Sequence, residues 1–215
     1  MSLNTTPIVV CYSTPLEGGD LPREIGGRPI ALLQTGVGLV NAAFMLTRFL
    51  ATNKVAAVIG CGVGGAYPGS NLEPGDVVCA ESETYGDLGA DSPEGFLDME
   101  ALGFPVIAGA APLYNELPLD LFPAARRVRF VTCATCTGTD DVARALVART
   151  GGAVESMEGA AIVHVAKLIG VKVGEVRGIS NSVGNRDRGR WRLNDAARAA
   201  REALVHWIED GAREC

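Results

Sequence analysis

Short apolar runs alternate along the chain with longer segments in which apolar residues recur at helical spacing. Each run is closed by glycine or by polar residues, which is typical of buried strands. The runs predict strands at residues 7–13, 30–34, 55–59, 77–80, 128–133, briefly near 153, and at 173–180. The helical segments predict helices at residues 39–51, 140–149, 157–169 and 194–210, the second of them capped by Asp140.

The alternation of strands and helices predicts an α/β fold with helices on both faces of the sheet. We expect a three-layer α-β-α architecture with a mixed central sheet. A chain of 215 residues has the length of one large domain, so we expect a single domain over residues 1–215. Residues 86–126 have weak periodicity. Ligands in such folds bind beyond the carboxyl ends of strands, which here carry residues 13–17, 36–38, 60–65, 135–137 and 180–181.

Glycine is the compositional outlier, with 27 of the 215 residues. A GxGxxG pattern at residues 60–65 follows a predicted strand, as it does in dinucleotide-binding loops. Those loops open directly into a helix, however, and Tyr67-Pro68-Gly69 prevents a helix here. The chain also lacks the GKS or GKT of a phosphate-binding loop. We therefore expect no nicotinamide, flavin or other cofactor.

Charge and hydropathy exclude two classes of partner. The net charge is −6 and no basic tract exceeds two adjacent residues, so nucleic acid is not an expected partner. No apolar run approaches the ~20 residues that span a membrane. Because residues 1–7 lack the basic and apolar regions of a secretory signal, we expect a cytoplasmic protein that does not bind a membrane.

The six cysteines do not indicate a metal or redox centre. Cys133 and Cys136 form a CxxC pair, but the pair ends a predicted strand instead of opening a helix, and no second pair accompanies it. The only histidines, His164 and His206, fall within predicted helices. This placement also disfavours a Ser or Cys hydrolase, because such a nucleophile needs a base beside it.

Carboxylates are the remaining candidates for chemistry. Glu17 follows the first strand and its turn, Glu158 begins a helix, and Asp187 lies beyond the last strand. A lone glutamate is usually a solvated surface group. Small and apolar residues surround Glu158, however, and the helix dipole favours a carboxylate at the amino end of a helix. Glu158 is therefore the stronger candidate on sequence grounds.

Six segments resemble the nucleoside hydrolases of the purine nucleoside phosphorylase superfamily, in an order and spacing that run along the whole chain. They are residues 13–17, 35–38, 60–65, 74–78, 154–161 and 177–181. Within the superfamily the chain is most similar to the futalosine hydrolases, because of Asn181, residues 182–187 and Trp191. The methylthioadenosine/S-adenosylhomocysteine nucleosidases are the nearest sister family.

The resemblance implies a nucleoside phosphorylase-like fold that cleaves futalosine with water, releasing hypoxanthine and dehypoxanthine futalosine in the alternative menaquinone pathway. It implies that Glu17 positions and deprotonates the water, that Glu158 binds the ribose hydroxyls and that Met157 packs on the sugar. The other implied contacts are Val63 and Gly64 along base and ribose, Thr135 and Cys136 beside the purine, Ser180 and Asn181 at its imidazole edge, and Trp191 over the site. A homo-oligomer, a dimer or larger, is also implied.

Physical chemistry supports these roles separately. Cleavage of an N-glycosidic bond builds positive charge on the ribose, which one carboxylate stabilises while another takes a proton from water. The charge of Glu17 would repel phosphate, which favours hydrolysis over phosphorolysis. The Asn181 amide can donate to a 6-oxo group and accept from a protonated N7, whereas the adenosine-type nucleosidases carry Asp at the matching position. We expect a preference for 6-oxopurines, with Asp187 or solvent protonating N7.

Two other functions stay open at this point. One is a nucleosidase for methylthioadenosine, adenosylhomocysteine or aminofutalosine; the other is a non-catalytic nucleoside-binding module, which would have no need of Glu17. The arginines of residues 186–192 either bind the carboxylate of futalosine's benzoate tail, with Trp191 stacked on its ring, or form a solvated face. Cys136 departs from the larger apolar residue that is common there in the family.

Overall fold

A computed structural model describes residues 6–213, so residues 1–5 and 214–215, which include Cys215, lie outside the described part of the chain. The strands are β1 (Ile8–Tyr12), β2 (Glu24–Ile25), β3 (Arg28–Gln34), β4 (Ala57–Ala66), β5 (Val77–Tyr85), β6 (Gly89–Ser92), β7 (Gly95–Asp98), β8 (Glu116–Pro118), β9 (Arg127–Thr132), β10 (Val154–Ser156) and β11 (Val173–Ser182). The helices are α1 (Pro15–Gly18), α2 (Leu39–Leu50), α3 (Asp140–Thr150), α4 (Gly159–Ile169) and α5 (Leu193–Arg213), with a 3₁₀ turn at Arg188–Arg190.

The central sheet is mixed, as predicted. Its strand order is β10-β9-β5-β11-β4-β1-β3-β2, with β8 paired along β5. Strands β3, β1, β4 and β11 run parallel, as do β5, β9 and β10, and the antiparallel pairing of β5 with β11 joins the two sets. Strand β10 pairs with β9 and also with β4, so one part of the sheet closes into a ring.

Hydrophobic clusters cover both faces of the sheet. Along β1, Val9 and Cys11 join a cluster with residues of α2 and α4, whereas Ile8 and Val10 join a cluster with residues of α5. Successive side chains of a strand point to opposite faces, so these clusters lie on opposite sides of the sheet. The predicted α/β fold with helices on both faces of a mixed sheet is therefore confirmed.

The glycine-rich segment at residues 60–65 is strand and not a loop. Strand β4 continues through it to Ala66 and pairs with β11 along its length, so the prediction that this strand ends at residue 59 was wrong. The glycines provide room. A Cβ at Gly62 would lie only 2.5 Å from Oε1 of Glu17, which shows that this carboxylate sits directly against bare backbone.

Two helix starts differ from the sequence predictions. Thr139 caps α3, its hydroxyl oxygen accepting from the backbone N–H of Val142 at 3.3 Å. Asp140, the predicted cap, is the first helical residue, and its carboxylate instead accepts from the backbone and side-chain nitrogens of Asn185. Helix α4 begins at Gly159 and not at residue 157, with Glu158 at the cap position and its side chain engaged elsewhere.

Residues 86–126, which the pattern left without elements, form a β6–β7 hairpin and then β8 at the edge of β5. The Asn115 side chain fixes the hairpin's position. Its amide donates to the carbonyls of Tyr85 and Leu88 and accepts from the backbone N–H of Met99. Such contacts between distant residues leave no periodic signal in the sequence.

Cys133 and Cys136 are free thiols in the structure, and burial raises the pKa of Cys133 to about 12. Within residues 6–213, no three His, Cys, Asp or Glu side chains are grouped closely enough to hold a metal ion. Over the same residues no helix has both the length and the apolar character to cross a membrane.

Candidate active site

A cavity of about 270 Å³ opens where β1, β4, β10 and β11 end. Nine of the sequence-predicted site residues line it, namely Glu17, Val63, Gly64, Cys136, Met157, Glu158, Ser180, Asn181 and Trp191. The structure does not bring Thr135 or Asp187 to the cavity. None of residues 86–126 lines it either.

Glu17 lies in the single turn α1 and is 5% exposed. Its Oε2 accepts from the backbone N–H groups of Thr14 at 2.9 Å and Ser13 at 3.2 Å, which α1 brings back towards it. Its Oε1 accepts from the backbone N–H of Val63 on β4 at 3.1 Å. Donors on both oxygens fix the carboxylate at the cavity wall.

Glu158 is the second carboxylate of the cavity and is 4% exposed. Its Oε1 accepts from the backbone N–H of Gly38 at 2.8 Å, and its Oε2 lies 3.7 Å from Nη2 of Arg177. Gly38 has φ of +93°, a conformation that glycine adopts readily. Burial raises the pKa of Glu158, while Arg177 and the Gly38 N–H oppose that effect by favouring the charged form.

Arg177 also lines the cavity, and the sequence analysis assigned it no role. It lies on β11 and is 3% exposed. Its Nε donates to Glu175 Oε1 at 2.6 Å and its Nη1 donates to the Val63 carbonyl at 2.7 Å. Although burial disfavours its charge, Glu175, Glu158 and Glu17 together raise the pKa of the guanidinium. The available signal was Glu175 and Arg177 two residues apart in one predicted strand, because arginine is almost never fully buried unless it is paired.

Ser180 and Asn181 lie at an irregularity in the pairing of β11 with β4. The Ser180 hydroxyl is within hydrogen-bond distance of Asn181 Oδ1 at 2.7 Å, and Asn181 Nδ2 donates to the Ser182 carbonyl at 3.0 Å. Each end of the amide keeps hydrogen-bonding capacity, since the nitrogen has a second hydrogen and the oxygen a second lone pair. The side chain can therefore present one donor and one acceptor to a ligand.

A second buried carboxylate network, also missed from the sequence, shapes the cavity beside Cys136. Glu155 Oε2 accepts from the Tyr67 hydroxyl at 2.7 Å and from the Thr137 hydroxyl, and Oε1 accepts from the Thr137 backbone N–H at 2.9 Å. The two hydrogen bonds from Thr137 hold the segment that follows β9 against Glu155 of β10. The Cys136 thiol in that segment donates to Met157 Sδ at 3.2 Å.

Trp191 and Arg186 line the cavity, and Arg188 lies beside Trp191. The guanidinium carbons of Arg186 and Arg188 lie 5.4 and 5.9 Å from the centre of the Trp191 ring. Asp187 does not line the cavity: it pairs with Arg190 at 3.1 Å, and its side chain is 63% exposed. The geometry gives no support to Asp187 as a proton donor to N7.

Comparison with known proteins places the chain among nucleoside-cleaving enzymes. The phosphorylase superfamily matches residues 19–209. The chain is 36% identical over 204 residues to the futalosine hydrolase of Thermus thermophilus, covering 89% of this chain and 87% of that one. It is 37% identical over 191 residues to the futalosine hydrolase of Acidothermus cellulolyticus, covering 84% and 78%.

Solved structures share the fold. The structure of futalosine hydrolase from Helicobacter pylori matches with a TM-score of 0.78 at 15% identity, over 96% of this chain and 98% of that one. An S-adenosylhomocysteine nucleosidase from Streptococcus pyogenes, solved with 5-methylthiotubericidin, matches with a TM-score of 0.80 at 20% identity, over 98% and 99%.

Proposed function

The chain belongs to the phosphorylase superfamily and to its futalosine hydrolases, and we propose that it cleaves the N-glycosidic bond of futalosine with water. The products are hypoxanthine and dehypoxanthine futalosine, in the alternative menaquinone pathway. The observation that carries this proposal is the placement of two buried carboxylates, Glu17 and Glu158, on one cavity with the Asn181 amide.

The two carboxylates have different tasks in the proposed reaction. Glu158 binds the ribose hydroxyls and stabilises the positive charge that develops on the sugar as the bond to the base lengthens. Glu17, held by three backbone N–H groups, orients a water and takes its proton as the water attacks the sugar. Met157, Val63 and Gly64 line the space that the ribose and base occupy.

Asn181 selects the leaving group in this proposal. As bond cleavage puts negative charge on the purine, its Nδ2 donates to the 6-oxo oxygen and its Oδ1 accepts from a protonated N7. A 6-amino purine would bring two donors together at the same amide nitrogen. The site would reject such a base because polar groups would be left without partners.

The direct test is to incubate the purified protein with futalosine and separate the products by chromatography. We expect free hypoxanthine, at a rate that added phosphate does not change, and no ribose phosphate. Faster release of adenine from methylthioadenosine than of hypoxanthine from futalosine would contradict the proposed substrate. Release of neither base would contradict hydrolysis altogether.

The alternative of a methylthioadenosine/S-adenosylhomocysteine nucleosidase has weaker support. A nucleosidase of that kind from Listeria innocua is 37% identical over 65 residues, which is 30% of this chain. The futalosine hydrolase of Thermus thermophilus matches over 89% of it. The hydrolytic cleavage of an N-glycosidic bond is common to both.

Replacing Asn181 by Asp is expected to shift the ratio of kcat/KM values toward 6-amino substrates by about 10–100-fold. A protonated Asp donates to N7 and accepts from a 6-amino group with its other oxygen. The measurement is kcat/KM for futalosine and for aminofutalosine. The control is Asn194→Asp, which changes the same side chain in the first turn of α5, outside the cavity lining. An unchanged ratio in Asn181→Asp would contradict the role of the amide.

We further propose that Arg186 binds the benzoate carboxylate of futalosine, with Trp191 against its ring. Arg186 lines the cavity, whereas Arg190 pairs with Asp187 and Arg192 pairs with Asp195. Arg186→Ala is expected to raise KM for futalosine about tenfold with little change in kcat. Arg190→Ala is the matched control and should leave KM unchanged. An unaltered KM in Arg186→Ala would contradict this role and would mean that Arg186 belongs to a solvated face.

We also propose that the enzyme is a cytoplasmic homo-oligomer. Free thiols at Cys11, Cys61 and Cys79 suit a reducing compartment. At the start of α2, beside the cavity, Val40 is 81% exposed and Phe44 is 61% exposed, which suits a covered apolar face. Light scattering coupled to size exclusion measures the mass directly, and a monomer at assay concentration would contradict the oligomer.

A further inference from the structure

Two buried carboxylates, Glu83 and Glu175, lie behind the cavity and take no part in the mechanism above. Glu83 is 0% exposed on β5, and Glu175 is 1% exposed on β11. Burial of a carboxyl group is costly unless the group is paired, hydrogen-bonded or neutral. Their partners therefore indicate what each group does.

Each carboxyl group has one partnered oxygen and one without a partner. Glu83 Oε2 accepts from the Thr132 hydroxyl at 2.8 Å, and Glu175 Oε1 accepts from Arg177 Nε at 2.6 Å. Glu83 Oε1 and Glu175 Oε2 are buried and have no hydrogen-bond partner. A buried polar oxygen without a hydrogen-bond partner loses its hydration and gains nothing in return. Folded proteins therefore rarely contain two such oxygens close together.

The two unpartnered oxygens lie against the same backbone atom. A Cβ at Gly159 would overlap Glu83 Oε1 and would lie 2.5 Å from Glu175 Oε2. Glycine at this position thus leaves space in which the two oxygens approach each other. A single proton between them would satisfy both, with one carboxyl group as donor and the other as acceptor.

The groups around the pair favour Glu83 as the protonated partner. Burial, and then the charge of Glu175, raises the pKa of Glu83 well above its usual value. Glu175 is the member of the pair that contacts Arg177, with its Oε1 2.6 Å from Nε of the guanidinium. We propose that Glu83 and Glu175 hold one proton between them, and that this acid–carboxylate pair positions Arg177 for the futalosine hydrolysis proposed above, on which this inference rests.

Arg177 connects the Glu83–Glu175 pair to the cavity through its hydrogen bonds. With Nε held by Glu175, its Nη1 reaches the carbonyl of Val63 and its Nη2 faces Glu158. The N–H of the same Val63 donates to Glu17. Glu83 and Glu175 are therefore positioning residues: they act on both cavity carboxylates through Arg177 and touch no substrate.

The nearby thiols and the nearby tyrosine hydroxyl are neutral at neutral pH. Burial raises the pKa of Cys11 on β1 and of Cys61 on β4 to about 12, and burial followed by the charge of Glu83 raises the pKa of Tyr85 on β5. The charged neighbours are Arg177 on β11, Glu158 before α4, Glu17 on α1, and, near Cys61, Arg201 on α5.

The pair predicts a specific pH dependence. As the pH rises through the raised pKa of Glu83, the shared proton is lost and a second negative charge competes for Arg177. The kcat/KM of the wild-type enzyme should therefore fall on the alkaline side. Glu83→Gln cannot ionise, and its amide can still donate to Glu175, so it should lack this alkaline fall.

The test combines infrared spectroscopy with kinetics on the full chain. At neutral pH the wild-type protein should show a carboxylic-acid C=O stretch that Glu83→Gln removes. Glu83→Gln should keep kcat/KM for futalosine within about threefold, whereas Glu83→Leu, which has no donor, and Glu175→Gln, which weakens the contact to Arg177, should lose about 10–100-fold. Glu81→Gln, an exposed site on the same strand, is the matched control and should change neither measurement.

The outcomes separate the two proposals. If the wild-type protein cleaves futalosine but lacks the carboxylic-acid band, or if Glu83→Gln loses as much activity as Glu83→Leu, the shared proton is wrong. If the band is present but futalosine is not cleaved, the proposed function fails and the shared proton stands. Should Glu83→Leu or Glu175→Gln not fold, the band and the pH profile of Glu83→Gln decide alone.

Discussion

Replacing Glu17 by Gln is expected to lower kcat on futalosine by about 10²–10⁴-fold, the usual contribution of a positioned general base. The amide has nearly the same shape as the carboxylate but cannot take a proton from water. It would also turn an NH₂ group toward the backbone donors that now face both oxygens, at Ser13, Thr14 and Val63. Both effects act on the chemical step more than on nucleoside binding.

The control for Glu17→Gln is the same substitution at a glutamate outside the cavity. Glu24 on β2 is exposed, and Glu24→Gln should retain wild-type kcat. Single-turnover measurement of hypoxanthine release at saturating futalosine isolates the step. A Glu17→Gln enzyme with kcat within a few-fold of wild type would show that another group activates the water.

Replacing Arg177 by Met is expected to lower the free energy of unfolding by about 3–5 kcal/mol at neutral pH. The methionine fills similar space, but Glu175 and Glu158 then remain buried without their cation. The loss should shrink as the pH falls, because the carboxylates left without Arg177 are neutralised by protonation. Urea unfolding at several pH values measures both effects.

A surface arginine provides the comparison for Arg177→Met. Arg198 on α5 pairs with Asp195, but its side chain is 64% exposed. Arg198→Met should change the free energy of unfolding by less than about 1 kcal/mol, as is usual for exposed ion pairs. If Arg177→Met and Arg198→Met lowered the free energy of unfolding equally, the buried contacts of Arg177 would stabilise the fold no more than an exposed ion pair does.

The pattern of the sequence was sufficient for the elements and for much of the cavity. Apolar runs predicted the core strands because a strand covered on both faces is largely apolar along its length. The resemblance of short segments then led to Glu17, Glu158 and Asn181, which line one cavity. The prediction that β4 ends before residues 60–65 was wrong because glycine usually marks a turn. Here the glycine at position 62 leaves room for Glu17 beside a strand that continues.

The groups that the sequence did not reveal depend on contacts between distant residues. Arg177 meets a carbonyl 114 residues away, and the Tyr67–Glu155 bond spans 88 residues. Glu175 lies on the same strand as Arg177, but the Val63 carbonyl and Glu158 lie on other parts of the chain and leave no periodic trace. The proximity of Glu83 on β5 and Glu175 on β11 likewise becomes visible only in the fold, where an oxygen of each lies against Gly159.

By itself the sequence determined the alternation of strands and helices, the mixed α/β class and the carboxylates that follow strand ends, because local periodicity and local turn chemistry encode these features. Only the tertiary structure decided that Glu83, Glu175 and Arg177 form one buried group behind the cavity, and that Asp187 pairs with Arg190 and does not line the cavity. The physical reason is that burial and electrostatic pairing are properties of neighbours in space, which the fold brings together from separate strands.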